Sequence, residues 1–366
     1  MTTKRTNSSV GVARGSRHRL KDVARLAGVG KATVDRVLNE RGNVSDKTAE
    51  KVLKVARRLS LTRVLPTSHH RLLRIEVLLA RPELPLIDRM KFEFQRLAKQ
   101  IDRSVVIQRT TLPTEDPRPL AAHIRQTQCD AVVVYAQEHP EVDVAIEDAS
   151  RRGVQVITMI SDLSRSCRLA YAGTDHYSAG RTAGLFMARM LHDVGPLIVL
   201  CNHFGFECHE ERVRGFRDAL QAYAPQLAIA KIIEGGDVSA KSERLLLKAF
   251  KEHRDAVGIY NVGAANDAAG AALRAGVLRR RPIFIGHELT HETRPMLRDG
   301  TMTIAIDQNP EHQARFALDV LLHHFGFSEP DAMSVPYRSN VSFRLYTAEN
   351  IVETSPQRPN DPKASV

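Results

Sequence analysis

The sequence predicts an α/β protein in two parts: a short all-helical head and a two-lobed body built from doubly wound parallel sheets. Short apolar runs without alternation, such as Ala131-Val132-Val133-Val134, take turns along the body with amphipathic helix-length stretches, as expected of strands buried on both faces. Eight such units over about 270 residues favour two lobes over one continuous sheet. Charge is segregated as well. Residues 1–72 hold 17 Lys+Arg against 5 Asp+Glu, whereas the other 294 hold 36 against 37. The whole excess behind the net charge of +11 therefore sits in the first fifth of the chain, which suits a polyanion-binding module joined to a neutral body.

Composition excludes several classes. The 366 residues, 43% hydrophobic and 26% charged, have the balance of a globular protein, and no apolar run is long enough for a membrane helix. Residues 1–7 lead into polar sequence instead of an apolar segment, so no signal peptide is expected. Four cysteines (Cys129, Cys167, Cys201, Cys208) do not make a disulfide framework in a chain of this length. A cytoplasmic location is expected. The first aromatic residue is Phe92, so the basic segment lacks the apolar face of a membrane-surface helix, and nucleic acid is the favoured polyanion.

Residues 1–17 read as a disordered basic arm. Helical periodicity begins at Leu20 with Val23, Ala24 and Ala27, and Gly28 suits the position just past the helix end. A second short helix is predicted over 31–39 with Val34, Val37 and Leu38 inward. A third, over 47–59, can be capped by Ser45 or Asp46 and buries Ala49, Val52, Leu53 and Ala56. Two short helices about a glycine turn, braced by a third, make a helix-turn-helix whose second helix can enter the major groove. Lys31, Ala32, Asp35 and Arg36 face outward near its start. Arg36 can donate bidentately to guanine, Asp35 can accept from cytosine or orient Arg36, and Ala32 can touch a thymine methyl. Thr33, Asn39 and Asn43 are placed for phosphates. The competing reading is a solvated three-helix bundle.

The run from Leu20 through Asn39, Leu-Lys-Asp-Val-Ala-Arg-Leu-Ala-Gly-Val-Gly-Lys-Ala-Thr-Val-Asp-Arg-Val-Leu-Asn, resembles the signature of the lac repressor (LacI-type) family of bacterial transcription regulators. Val44-Ser45 and residues 48–56 continue the likeness. The sequence departs from the family where Gly30 and Asp35 replace serine. It departs again in the linker, residues 63–72, where Pro66 opposes the family's hinge helix and favours an extended tether.

In the body, strands are predicted over 75–80, 105–109, 131–135, 154–158, 197–200, 228–233, 256–260 and 282–286. Helices are predicted over 90–101, 179–191, 214–222, 240–250 and 264–275, and Gln308-Asn309-Pro310 should open a helix returning to the first lobe. Domain bounds follow: head 18–62, body 73–346, flexible tail 347–366. The resemblance implies a body similar to periplasmic sugar-binding proteins (type I), with an effector held between the lobes.

Open α/β sheets bind ligands beyond the carboxyl ends of their strands. That rule singles out the segments around Asp175, Arg212, Asn266, Glu288 and Gln308. The resemblance implies that these five line the effector cleft, and carboxylate, guanidinium and amide groups together suit a sugar, sugar acid or polyol. Asp175 can equally cap its helix, Asn266 and Gln308 can hold loop backbone, and Arg212 or Glu288 can pair internally or face solvent.

No catalytic constellation stands out. Gly28-Val29-Gly30-Lys31-Ala32 lacks the upstream glycine, the Ser/Thr and the preceding strand of a phosphate loop, and Cys201, His203, Cys208 and His209 fit no standard zinc spacing. No cofactor is implied. The sequence thus reads as a homodimeric regulator of a palindromic operator, a repressor by resemblance and not an enzyme. The alternative is a sugar-binding or sugar-modifying protein with an incidental basic head.

Overall fold

The structure, a computed structural model, describes residues 20–39, 44–59, 72–101, 104–327 and 341–351. The basic arm, Asn43, the Pro66 linker apart from Leu72, and the tail beyond Ile351 lie outside the described residues. The chain divides into two compact units, Met1–Leu72 and Leu73–Val366.

The head holds α1 (Leu20–Ala27), α2 (Lys31–Leu38) and α3 (Asp46–Arg58) around Val23, Ala27, Val34, Val37, Leu38, Val52, Leu53 and Ala56. Gly28 takes φ 63°, and the pair of bonds Gly28 N to Arg25 O and Val29 N to Ala24 O closes α1 as a Schellman motif. That left-handed step turns the chain sharply into α2. Gly30 begins α2 without a side-chain cap, as its lack of a hydroxyl dictates.

In the body, lobe 1 contributes β1 (Leu73–Ala80), α4 (Pro85–Ala98), β2 (Val105–Leu112), α5 (Pro117–Gln126), β3 (Ala131–Val134), α6 (Pro140–Arg151), β4 (Gln155–Met159) and β5 (Ala170–Ala172). Lobe 2 follows with α7 (His176–Met190), β6 (Pro196–Cys201), α8 (Glu207–Tyr223), β7 (Ala228–Glu234), α9 (Ser239–Glu252), β8 (Gly258–Asn261), α10 (Asn266–Arg274), β9 (Ile283–His287), α11 (Thr293–Arg298) and β10 (Ile304–Asp307). The chain then returns to lobe 1 as α12 (Pro310–His324), whose Ala314, Ala317, Leu318 and Leu321 join the core of Ile75, Met90 and Phe94. It ends on β11 (Arg344–Tyr346), antiparallel to β10.

The sheets run β2-β1-β3-β4-β5 and β11-β10-β9-β8-β6-β7, parallel except for the β10–β11 pair. Each is covered on both faces, in lobe 2 by α7 and α8 on one side and by α9, α10 and α11 on the other. Burial of both faces explains why the strands read as unbroken apolar runs. Predicted helices start late where a polar first turn hides the true beginning: 214–222 is observed as Glu207–Tyr223, with Glu207 and Glu210 in its opening turn. The sequence reading missed β5, β10 and β11; β5 and β11, at 3 residues each, give periodicity nothing to act on.

Candidate functional site

On the head, α2 exposes Lys31, Ala32 and Arg36, while Thr33, Asp35 and Asn39 are half-buried. Asn39 Nδ2 donates to Asp35 Oδ1 at 2.8 Å and to the Asp35 carbonyl at 2.9 Å, so these two side chains form a unit beside the exposed Arg36. Val34, Val37 and Leu38 clamp the opposite face of the helix into the head core.

In the body, strand order reverses between β1 and β3 and between β6 and β8, and the carboxyl ends of these strands carry a dense polar cluster. Helices α7 and α8 cross with almost no gap. A Cβ on Gly180 would lie 2.1 Å from the Arg212 carbonyl oxygen, and one on Gly215 would lie 2.1 Å from that of Tyr177. This approach seats Arg212 in the interior, 3% exposed. Its Nη1 donates to the Val262 carbonyl at 2.6 Å, and its Nε donates to His176 Nδ1 at 3.2 Å. His176 must then carry its proton on Nε2, which faces the Ile160 carbonyl at 2.5 Å. Burial and the Arg212 cation hold His176 well below the usual imidazole range. Ile160 sits at φ 65°, a left-handed conformation that a β-branched residue adopts only under constraint from its surroundings.

Asn266 opens α10 buried beneath the loop, accepting from Asn261 Nδ2 at 2.8 Å and donating to the His287 carbonyl at 2.8 Å. Glu288, left-handed at φ 71°, follows β9. Its Oε1 accepts from Gln308 Nε2 at 2.7 Å, and Gln313 fixes Gln308 in turn by donating to its carbonyl at 2.8 Å. Glu288 Oε2 is buried without a hydrogen-bond partner among the described residues, 3.6 Å from Arg89 Nη1. Burial, reinforced by the neighbouring Asp307 carboxylate, pushes Glu288 up to about 8.

Arg212, Asn266, Glu288 and Gln308 therefore converge. Asp175 stands apart: both of its carboxylate oxygens are engaged by Ser178, through the backbone N–H at 2.8 Å and the hydroxyl at 2.7 Å. It is the N-cap of α7.

Two arginines that the sequence reading passed over cross from lobe 1 to lobe 2. Arg89, from α4, donates to Asp307 at 2.5 Å, to the Leu289 carbonyl at 3.3 Å and to Glu311 at 2.9 Å. Arg81, one residue past β1, donates to the carbonyls of Gly236 at 3.3 Å and Asp237 at 2.9 Å and also pairs with Glu83. Asn202, one residue past β6, donates to Glu115 at 3.4 Å, and burial pushes Asp237 up to about 6. The strand-end rule applied to β1 would have found Arg81. No local signal marks Arg89, whose partner Asp307 lies 218 residues away. Arg89 also lines a surface cavity of about 370 Å³ together with Pro82, Glu83, Pro85, Asp88, Leu289, Thr290, His291 and Arg294.

Residues 77–327 match the model of the periplasmic binding protein domain, and residues 19–63 match that of bacterial regulatory proteins of the lacI family. Among curated proteins, the chain is similar to the HTH-type transcriptional regulator MalR of Clostridium butyricum, 24% identical over 73% of this chain and 81% of that protein. It is also similar to the ribose import binding protein RbsB of Haemophilus influenzae, 24% identical over 46% of this chain, the match spanning 56% of that protein's length. Among solved structures, the body shares its fold with GanP, a glucose-galactose binding protein from Geobacillus stearothermophilus. The TM-score is 0.68 at 18% identity, over 76% of this chain and 99% of that one.

Proposed function

The chain belongs to the lacI family of bacterial regulatory proteins, with a body of the periplasmic-binding-protein type, and from that premise we propose a cytoplasmic repressor that releases or grips its operator according to a small sugar, sugar acid or polyol. The observation that carries this reading is the union, in one chain, of a recognition helix exposing Lys31, Ala32 and Arg36 with a cleft where Arg212, Asn266, Glu288 and Gln308 meet. A single short recognition helix reads few bases, so the active form is a homodimer on a palindromic site. Arg36 reads base edges; Lys31 and Thr33 hold phosphates, as does Asn39 when it leaves Asp35. Asn43 is placed with them on sequence grounds. The effector binds Arg212, Asn266, Glu288 and Gln308, and Asp175 contributes by fixing the start of α7. To act, it must bind one arrangement of the lobes better than the other.

Mobility-shift titration of the full chain on operator and on random duplex tests the proposal. Arg36→Ala should weaken specific binding by about 1–3 kcal/mol, roughly 5- to 150-fold, and leave non-specific binding little changed. Equal operator affinity in variant and wild type would remove α2 from the recognition role.

A further inference from the structure

A guanidinium sits on a flexible stem, and one that meets a ligand works best when its fork is aimed beforehand. The close packing of α7 on α8 fixes only the main chain of Arg212. Its fork is fixed by the Val262 carbonyl on Nη1 and by His176 Nδ1 on Nε. The carbonyl belongs to lobe 2, as Arg212 does. The imidazole is held from its far side by lobe 1.

His176 opens α7 directly after the chain leaves β5 for lobe 2, and it is 6% exposed. Its Nε2 meets the Ile160 carbonyl, just past β4, and stands 2.9 Å from the hydroxyl of Tyr171 in β5. That hydroxyl points back to the carbonyls of Ile160 at 3.0 Å and Thr174 at 3.1 Å. On the other edge of the ring, Nδ1 faces two donors, Arg212 Nε and, at 3.4 Å, the Thr174 hydroxyl. Donors at one nitrogen and a carbonyl at the other leave a single compatible state, the neutral ring with its proton on Nε2. The local sequence makes room for this arrangement. A Cβ on Gly173 would collide with the Tyr171 hydroxyl, so glycine is what lets that ring fold back toward His176. Ile160, which supplies the carbonyl, is the left-handed residue noted above, the kind of strain that clusters at functional sites.

The acceptors are informative in kind as well as in place. Arg89 is held by the carboxylates of Asp307 and Glu311, whereas both hydrogen-bond acceptors of Arg212 among the described residues are neutral. A neutral acceptor orients a guanidinium without cancelling its charge.

Resting on the effector reading above, we propose that His176 is the positioning residue of that site. Anchored to lobe 1 through Nε2–H, it holds the Arg212 fork in the orientation that meets the effector and leaves its charge uncancelled.

Two substitutions separate the halves of this clamp. His176→Asn puts an amide oxygen about where Nδ1 stands, keeping an acceptor for Arg212 and giving up lobe 1. His176→Gln reaches the Ile160 carbonyl with its amide nitrogen and leaves Arg212 Nε without an acceptor. Heteronuclear NMR on the full chain with isotope-labelled histidine and arginine reads both ends. Arg212→Lys identifies the Arg212 Nε–H signal, and whichever His176 variant folds identifies the His176 ring. Wild type should show the Nε2–H tautomer throughout pH 6 to 8 and a slowly exchanging Arg212 Nε–H. That arginine signal should persist in His176→Asn and be lost in His176→Gln. D-ribose, D-glucose, ribitol and D-gluconate serve as probes in thermal shift and calorimetric titration. Any probe that wild type binds should bind His176→Gln about tenfold or more weakly, the scale of a lost hydrogen bond to a charged group, and His176→Asn within a few-fold of wild type. Urea midpoints show which variants fold, and a purely packing role would make affinity follow stability instead of this order. A proton on Nδ1 in wild type, an Arg212 Nε–H unchanged in His176→Gln, or equal loss of affinity in the two folded variants overturns the positioning role. Silence from all four probes, or a response that survives Arg212→Ala, overturns the effector reading instead, and the arginine signal still decides the clamp.

Discussion

Replacing Glu288 by glutamine keeps the shape of the side chain and the bond from Gln308 while removing the charge. In the folded protein this carboxyl titrates near 8 instead of the ordinary 4.5, because burial disfavours the anion and Asp307 adds like charge. The folded form therefore holds a proton that the unfolded chain gives up above pH 4.5, so the contribution of Glu288 to stability falls as pH rises from about 4.5 to 8. At about 1.4 kcal/mol per pH unit the ceiling across that window is about 4–5 kcal/mol. Arg89, 3.6 Å away, already lowers the carboxyl against the pull of burial, so about 4–5 kcal/mol is the most that this titration can contribute. Loss of the Glu288 charge does not orphan Arg89, which retains Asp307, Glu311 and the Leu289 carbonyl. Urea unfolding of wild type and Glu288→Gln at pH 5, 6, 7 and 8 reads the difference directly. The variant should match wild type or be slightly less stable at pH 5, then gain steadily on it toward pH 8. A stability difference that is flat over this range, or that moves toward wild type as pH rises, would show that Glu288 is an ordinary solvated or fully paired carboxylate.

Arg89→Ala leaves Asp307, 2% exposed, without its cation and should cost about 3 kcal/mol, with partial recovery when Asp307→Asn is added; chemical denaturation of single and double variants measures the coupling. Gly180→Ala places a methyl group against the Arg212 carbonyl, forces α7 and α8 apart, and should cost about 2 kcal/mol or more. The same variant should weaken effector binding by moving Arg212, which titration of the folded variant would detect.

The fold was legible where burial is two-sided and the apolar run long enough, as in the strands about Val77, Val133 and Val199, each essentially inaccessible to solvent. The head was legible in finer detail, since Gly28 as a helix stop and Val34, Val37 and Leu38 as an inner face depend only on neighbours a few residues away. At the site, Glu288 was singled out by its place after the strand predicted over 282–286 and Gln308 by its place at the start of the returning helix, and the two bond each other directly. Asp175 was singled out by its place ahead of a helix, and its carboxylate serves Ser178, because a capping geometry three residues away is met before any longer-range one. Arg89 falls outside the helix predicted over 90–101, and its partner Asp307 lies 218 residues away.

Local chemistry, then, was enough to specify two modules with different charges, the position of the recognition helix and the strand ends where polar groups gather. Periodicity, capping and segregated charge are properties of neighbouring residues, and a linear chain displays them. Which of those groups are already paired was decided only when the lobes came together. Arg81 and Arg89 could meet their carbonyls and carboxylates only after chain segments more than a hundred residues apart were folded into contact, and Arg212 meets the Val262 carbonyl across 50 residues. Hydrogen bonds and buried charge depend on distance in space, which sequence spacing does not encode.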